Sequence, residues 1–312
     1  MANEEHLEIL KQGADVWNRW RKKNSEADLD FSRANLSHVN LSGADLSGVN
    51  LSRADLSHTD LSNTDLSNAK PGWANLSHAN LSGANLSNAD LTWADLRNAT
   101  LNEANLSNAN INNSRLGRAS LNRANLTGAN LREVNLSNAE LSRANLNNAN
   151  ISYTNMSNVN LAGALISGAN LLEADLRMAE LSEADLSAAN LKAANLSHSN
   201  LRDANLSNAD VSYTKLSGTD FTKANLSEAN FEGAFLYLTI FAGANLKDAA
   251  GLDKCWYNGP CILDENALWK SGSLPAEFLR CCNVSDEAQQ PKDPESFKIP
   301  PYRQETLDRP IF

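Results

Sequence analysis

The sequence predicts an all-β solenoid with short helical elements at both ends. Three observations predict it. Residues 31 to 246 read in fives through 44 consecutive units without a phase slip, and the central position is Leu in 34 of them. Like residues recur at multiples of twenty: His38, His58, His78 and His198 form one set, and Trp73, Trp93, Tyr153 and Tyr213 another. Aromatics are only 6% of the 312 residues while hydrophobics reach 42%, so the core must be mostly Leu and Ala.

The repeat covers most of the chain. Its consensus is A-[N/D]-L-S-x. The centre is Phe, Ile, Val, Met or Pro in the remaining units, with Pro71 the one break in the apolar row. A small residue such as Ala34, Val39, Thr59 or Ser199 sits two places earlier, and only Leu29 in the first unit is large. Five fits neither standard period. On a helix five steps of ~100° carry the Leu stripe round the cylinder. On a strand an odd period sends alternate Leu to opposite faces. A path that turns after each unit puts every centre and every small residue inside. Asn, Asp and Ser suit such turns because their side chains bond nearby backbone groups. The columns at multiples of twenty then mean four units per turn, with the fifth position facing solvent and like residues stacked in ladders.

With these residues in view, the chain resembles the pentapeptide-repeat proteins of bacteria. The resemblance implies a right-handed quadrilateral β-helix. With four units per coil, residues 29–250 make about 11 coils. At ~4.8 Å between stacked strands the rod is roughly 50 Å long.

Residues 1–28 lie outside the repeat. Leu7, Ile9, Leu10, Ala14, Trp17 and Trp20 have helical spacing and predict one amphipathic helix that caps the open first coil. Its Trp-containing lead-in also resembles other members of the family. Near 235–241 the pattern degrades to FLYLTIF, and Phe235, Tyr237, Leu238 and Ile240 fall on outward positions. Such a patch is expected to dock the segment that follows, 251–285, which offers Trp256, Ile262, Leu263, Leu268, Trp269, Phe278 and Leu279. Two short helices are expected there, near 264–270 and 275–282. The stretch LWKSGSLPAEFLR is similar to one that precedes TIR-like signalling domains in some family members. Residues 286–312, Pro-rich and charged, predict a flexible tail.

Composition limits the function. A formal net charge of -10 excludes a basic binder of nucleic acid. No apolar run approaches the ~18 residues of a membrane helix. The opening MANEEHLEILKQ lacks the order of a signal peptide, so a cytoplasmic protein is expected. Cys255, Cys261, Cys281 and Cys282 have no zinc-finger spacing and read as reduced, buried thiols under the C-terminal segment. No phosphate loop, dinucleotide fingerprint or nucleophile elbow occurs. The abundant Ser and Asp are turn residues, so neither catalysis nor a cofactor nor a metal is expected. The His38–His58–His78 ladder reads as neutral surface imidazoles, although neighbouring imidazoles can share an ion.

The remaining reading is a non-catalytic interaction or scaffold protein. Its candidate face is the column Arg33, Arg53, Trp73, Trp93, Tyr153 and Tyr213, because exposed Trp and Tyr are favoured anchors. The Pro71-Gly72 break beside Trp73 predicts a local kink. The partner is another protein, and a homodimer through the apolar end or the aromatic column is also possible. The resemblance implies an alternative: some pentapeptide-repeat proteins imitate B-DNA and bind type II topoisomerases such as DNA gyrase. Within 29–250 there are 21 acidic and 15 basic side chains, an excess of six acids. Duplex DNA of ~50 Å carries about 30 negative charges. Arg115, Arg118, Arg123, Arg132 and Arg143 further make the middle of the rod basic. A uniform DNA-like field is therefore not expected, although an acidic strip near Asp45–Asp65 remains.

Overall fold

The computed structural model describes residues 4–25 and 27–284; the tail expected at 286–312 lies outside the described residues. From residue 30 to residue 250 the main chain bridges in parallel to the residue twenty places on: Asn35 with Asp55, Asn125 with Asn145, Asp210 with Asn230. Every fifth residue is such a bridge, so each twenty-residue turn has four sides.

One unit shows why A-N-L-S-x folds this way. In Ala124–Gly128 all five backbone N–H groups are satisfied. Ala124 N donates across the turn to Leu121 O at 3.0 Å. Asn125 N donates to the coil before, at Ala104 O (2.9 Å), and Leu126 N and Gly128 N donate to the coil after, at Asn145 O (2.6 Å) and Asn147 O (3.0 Å). The fifth, Thr127 N, goes to the Asn125 side chain at 3.2 Å. Asn or Asp before the centre therefore completes the backbone accounting. Its amide also climbs the rod: Asn130 Nδ2 donates to Asn110 Oδ1 (3.1 Å) and Asn150 Nδ2 to Asn130 Oδ1 (3.2 Å).

The centres fill the tube. Leu36 through Leu246 are buried, and Ala at the second inward position leaves room for them. The fifth residue of each unit lies in the left-handed region, from Arg33 (φ 61°) to Asp248 (φ 57°). None of these 44 positions carries Val, Ile or Thr, the residues that tolerate positive φ worst. The variable position is thus conformationally selected as well as exposed.

The N-terminal segment is two helices instead of one: α1 (Glu4–Lys11) and α2 (Ala14–Lys23). Gly13, at φ 101°, breaks the helical path between them. Trp17 on α2 is fully buried, packs on Phe31 at 5.6 Å and donates from Nε1 to Asp45 O at 2.6 Å. Asn18 takes both open groups nearby: Nδ2 donates to Gly43 O (2.9 Å) and Oδ1 accepts from Asp45 N (2.8 Å).

At Pro71 the series has its one gap, because Lys70 does not bridge Asp90, but the ladder on either side continues. Asn50 still bridges Lys70, Asp90 N still donates to Ala69 O (2.9 Å), and Trp73 N to Thr92 O (2.9 Å). A proline has no N–H to give Asp90 O, so a single ladder hydrogen bond is lost.

Beyond residue 250 the chain makes a 3-10 turn, Leu252–Lys254, and then adds part of another rung. Strand β1 (Phe235–Leu236) pairs in parallel with β2 (Trp256–Tyr257), and Ile240 bridges Ile262. Helices α3 (Glu265–Ser271) and α4 (Ala276–Cys281) follow. The Asp264 carboxylate accepts from Ala267 N and from Gly243 N, and Ser271 Oγ accepts from Leu246 N, so α3 satisfies donors of the last coil. Phe278 of α4 is buried edge-on against Phe241 at 5.5 Å.

Candidate interaction face

The rungs stack the side chains that the twenty-residue columns align. Trp73 and Trp93 lie 5.0 Å apart with planes 10° from parallel, and Arg53 Cζ sits 5.8 Å from the Trp73 ring. His38, His58 and His78 repeat at 4.8 Å with nearly parallel rings. Farther along, Arg132 lies over Tyr153 and Lys192 over Tyr213. These columns run along two neighbouring corners. Between them lies one side, whose outward row includes Asn35, Asp55, Asn75, Asp95, Asp175 and, at the far end, Phe235.

Large exposed apolar side chains concentrate there. Within 29–250 they are Trp73, Trp93, Tyr153, Tyr213, Met178, Phe235, Tyr237, Leu238 and Leu165. All but Leu165 lie on this side or its two corners. Trp73 and Trp93 are half-exposed, at 54% and 51%.

The C-terminal patch differs from expectation. The following segment docks by backbone, edge to edge, and leaves the apolar side chains open. Phe235 stacks beside Trp256 at 6.2 Å, and Phe235, Tyr237, Leu238, Trp256 and Ile262 all remain exposed. Only Ile240 is half-buried. A continued ladder places the new side chains beside the old ones, so residues 256–262 enlarge the patch. Phe278 and Leu279 pack into the end of the tube instead, while Trp269 stays exposed.

The acids on this side are tied to neighbours. The Ser57 hydroxyl holds the Asp55 carboxyl below its ordinary value, with help from Asn75. Burial pulls Asp95 up, but the hydrogen bonds from Arg97 at 2.8 and 2.5 Å outweigh it. Asp175 is lowered by its hydrogen bonds from Arg177 in the same way. Each Asp–Arg pair is a fork that neutralises its own charge. Among the described residues no group of three His, Cys, Asp or Glu is placed to hold a metal ion, the imidazole ladder included. No helix of the described residues is long and apolar enough to cross a membrane.

Four-sided coils of A-N-L-S-x units define a class, the parallel β-helix with five residues per side. The sequence profile of the pentapeptide repeats matches in eight copies, including residues 30–68, 74–113, 114–152, 154–192, 184–222 and 219–250. The chain belongs to the pentapeptide-repeat family, and its fold is that family's right-handed quadrilateral β-helix.

Among solved structures, HetL, involved in heterocyst differentiation regulation in the cyanobacterium Nostoc sp. strain PCC 7120, is 33% identical over 78% of this chain and 95% of its own, with a TM-score of 0.42. A pentapeptide repeat protein of the Arabidopsis thaliana thylakoid lumen is 33% identical over 31% of this chain and 68% of its own (TM-score 0.31). QnrB1, a plasmid-mediated fluoroquinolone resistance protein, is 21% identical over 61% and 86% (TM-score 0.35). Among curated proteins none matches significantly.

Proposed function

We propose that the chain is a non-catalytic scaffold of the cytoplasm: a rigid rod that docks a protein partner along the side bounded by the Trp73–Trp93 and His38–His78 columns. The observation that carries this reading is the gathering, on that side and its two corners, of eight of the nine large exposed apolar side chains within residues 29–250. Stacked Trp residues cost a partner little ordering entropy, because the rungs already fix them. On this reading α1 and α2 at one end, and α3 and α4 at the other, cap the stack of about eleven coils. Trp73 and Phe235 stand eight rungs apart, roughly 40 Å at ~4.8 Å per rung. An extended partner of that length spans both the Trp pair and the C-terminal patch.

The test is capture from cell extract by the native protein and by a Trp73→Ala/Trp93→Ala variant, followed by affinity measurement with the captured partner. Two central Trp anchors carry ~2 kcal/mol or more, so the variant should bind at least ~30-fold more weakly. Equal affinity would remove the aromatic corner from the reading. The DNA-gyrase alternative is not favoured by the surface, because Arg97 and Arg177 clamp acids on this side and five Arg interrupt the rows at 115–143. A supercoiling assay decides it: inhibition or protection of gyrase at micromolar protein would revive that alternative.

A further inference from the structure

The docking reading leaves four thiols unused. All four Cys of the chain lie between residues 255 and 282, and the rod has none. The fold brings three of them together. Cys261 sits on the last partial rung, beside the Ile262–Ile240 bridge, and its N–H donates to Cys281 O at 3.2 Å. Cys281 ends α4, and its Sγ approaches Cys261 Sγ at 3.6 Å. Cys282 follows, buried in the same cluster. Cys261 and Cys282 are buried. Cys281 reaches the surface, where it lines an open cavity of about 580 Å³ with Tyr257, Gly259, Pro260, Glu277 and Arg280.

We propose that Cys261 and Cys281 are an oxidisable pair that forms a disulfide when a hydroperoxide enters this cavity, fastening α4 to the last rung of the rod. The main chains are already tied by a hydrogen bond and the sulfurs stand 3.6 Å apart, a short approach from the ~2.05 Å of a disulfide. Its sulfur neighbours, Cys282 first and Cys281 next, lower the Cys261 thiol to about 7, whereas burial pushes Cys281 up to about 11 and Cys255 up to about 12. The one thiolate of the cluster therefore starts on Cys261.

The Cys281 sulfur attacks the terminal peroxide oxygen while its proton passes to the Cys261 thiolate, so the less acidic thiol is never a free thiolate; the O–O bond breaks, and its electron pair leaves on the alkoxide, which takes a proton from water. Cys281 is now a sulfenic acid. The Cys261 sulfur attacks it, the S–S bond forms, and hydroxide leaves with the Cys261 proton as water. Two thiols are oxidised and one hydroperoxide is reduced.

The test uses the reduced full chain and hydrogen peroxide. Remaining thiols are alkylated under denaturing conditions and the peptides are read by mass spectrometry. The expected product is an intramolecular Cys261–Cys281 cross-link with Cys255 alkylated, formed also in C282S and C255S and absent from C281S. A far-ultraviolet melt confirms that C281S folds. Cleavage within 264–282 by added protease should slow roughly 100-fold after oxidation, the effect expected for closing a loop of this size. The proposal is overturned if Cys281 goes to sulfinic acid without cross-linking, or if the bond involves Cys255 or joins two molecules. It is equally overturned if zinc added to the reduced chain protects three thiols from alkylation, which would mark the cluster as a metal site.

Discussion

Two serines at the same kind of position should respond to the same substitution with opposite sign. Ser114 and Ser199 both stand two residues before a central Leu, and both are 2% exposed. The Ser199 hydroxyl donates to Leu196 O at 2.6 Å. Thr59, Thr154, Thr214, Thr219 and Thr239 solve the same problem by donating to Leu36, Ile151, Val211, Leu196 and Leu216 carbonyls. Ser114 Oγ has no hydrogen-bond partner among the described residues. An unsatisfied buried hydroxyl costs about 1–3 kcal/mol, whereas a satisfied one contributes about 0.5–1.5 kcal/mol net. Ala is already the commonest residue at this position, so the substitution introduces no overpacking. Ser114→Ala should therefore stabilise the rod by ~1 kcal/mol or more, and Ser199→Ala should destabilise it by ~1 kcal/mol. Urea unfolding followed by far-ultraviolet circular dichroism measures both, with m compared to confirm an unchanged transition. Destabilisation by Ser114→Ala would refute the reasoning that inward hydroxyls here need a carbonyl.

Three further outcomes follow from the same geometry. Leu126 is fully buried at mid-rod, so Leu126→Ala should cost ~2–5 kcal/mol and Leu126→Lys more, because its charge would have no partner inside; a wild-type melt for the lysine variant would contradict inward placement. Asn148 holds φ 57°, so Asn148→Val should cost ~1–2 kcal/mol while Asn148→Gly stays nearly neutral, again by urea unfolding. Asp30, Asp55, Asp95, Asp175 and Asp220 all lie below the ordinary 3.8, and Glu180 below 4.5. The unfolded chain therefore binds more protons, and the stability these groups contribute is fully present above those ordinary values and lost as pH falls through the lowered ones. Melting temperature should hold from pH 7 to about 5 and drop below about 4, and a loss already complete at pH 5 would contradict these directions.

The rod was legible because its repeat makes long-range structure local. A five-residue period excludes straight helices and strands, and the recurrence at twenty fixes which side chains meet, as Trp73 and Trp93 do at 5.0 Å. The candidate docking side was half legible. The aromatic column could be read from residue numbers, but the shared side with Phe235, Leu238 and Met178 needed the order of the four sides. The ends were harder because nothing there repeats. Gly13 inside a helical pattern was the available signal for two helices. Whether FLYLTIF would be covered depended on the path after residue 250, and a parallel rung beside it exposes what a crossing segment would have buried. The thiol cluster depended on how α3 and α4 fold back, which no spacing of Cys records. The positive φ at each fifth position had left a signal in the absence of Val, Ile and Thr.

The docking claim is tested most directly on a single coil. Asn75, Asn80, Asn85 and Asp90 are consecutive bridge residues, one on each of the four sides. A photo-crosslinking side chain placed at each in turn, in cells, samples the four sides at one height. Partner adducts should concentrate at position 75, between the Trp and His corners. Equal adducts from all four positions, or a maximum at position 85 on the opposite side, would contradict the account.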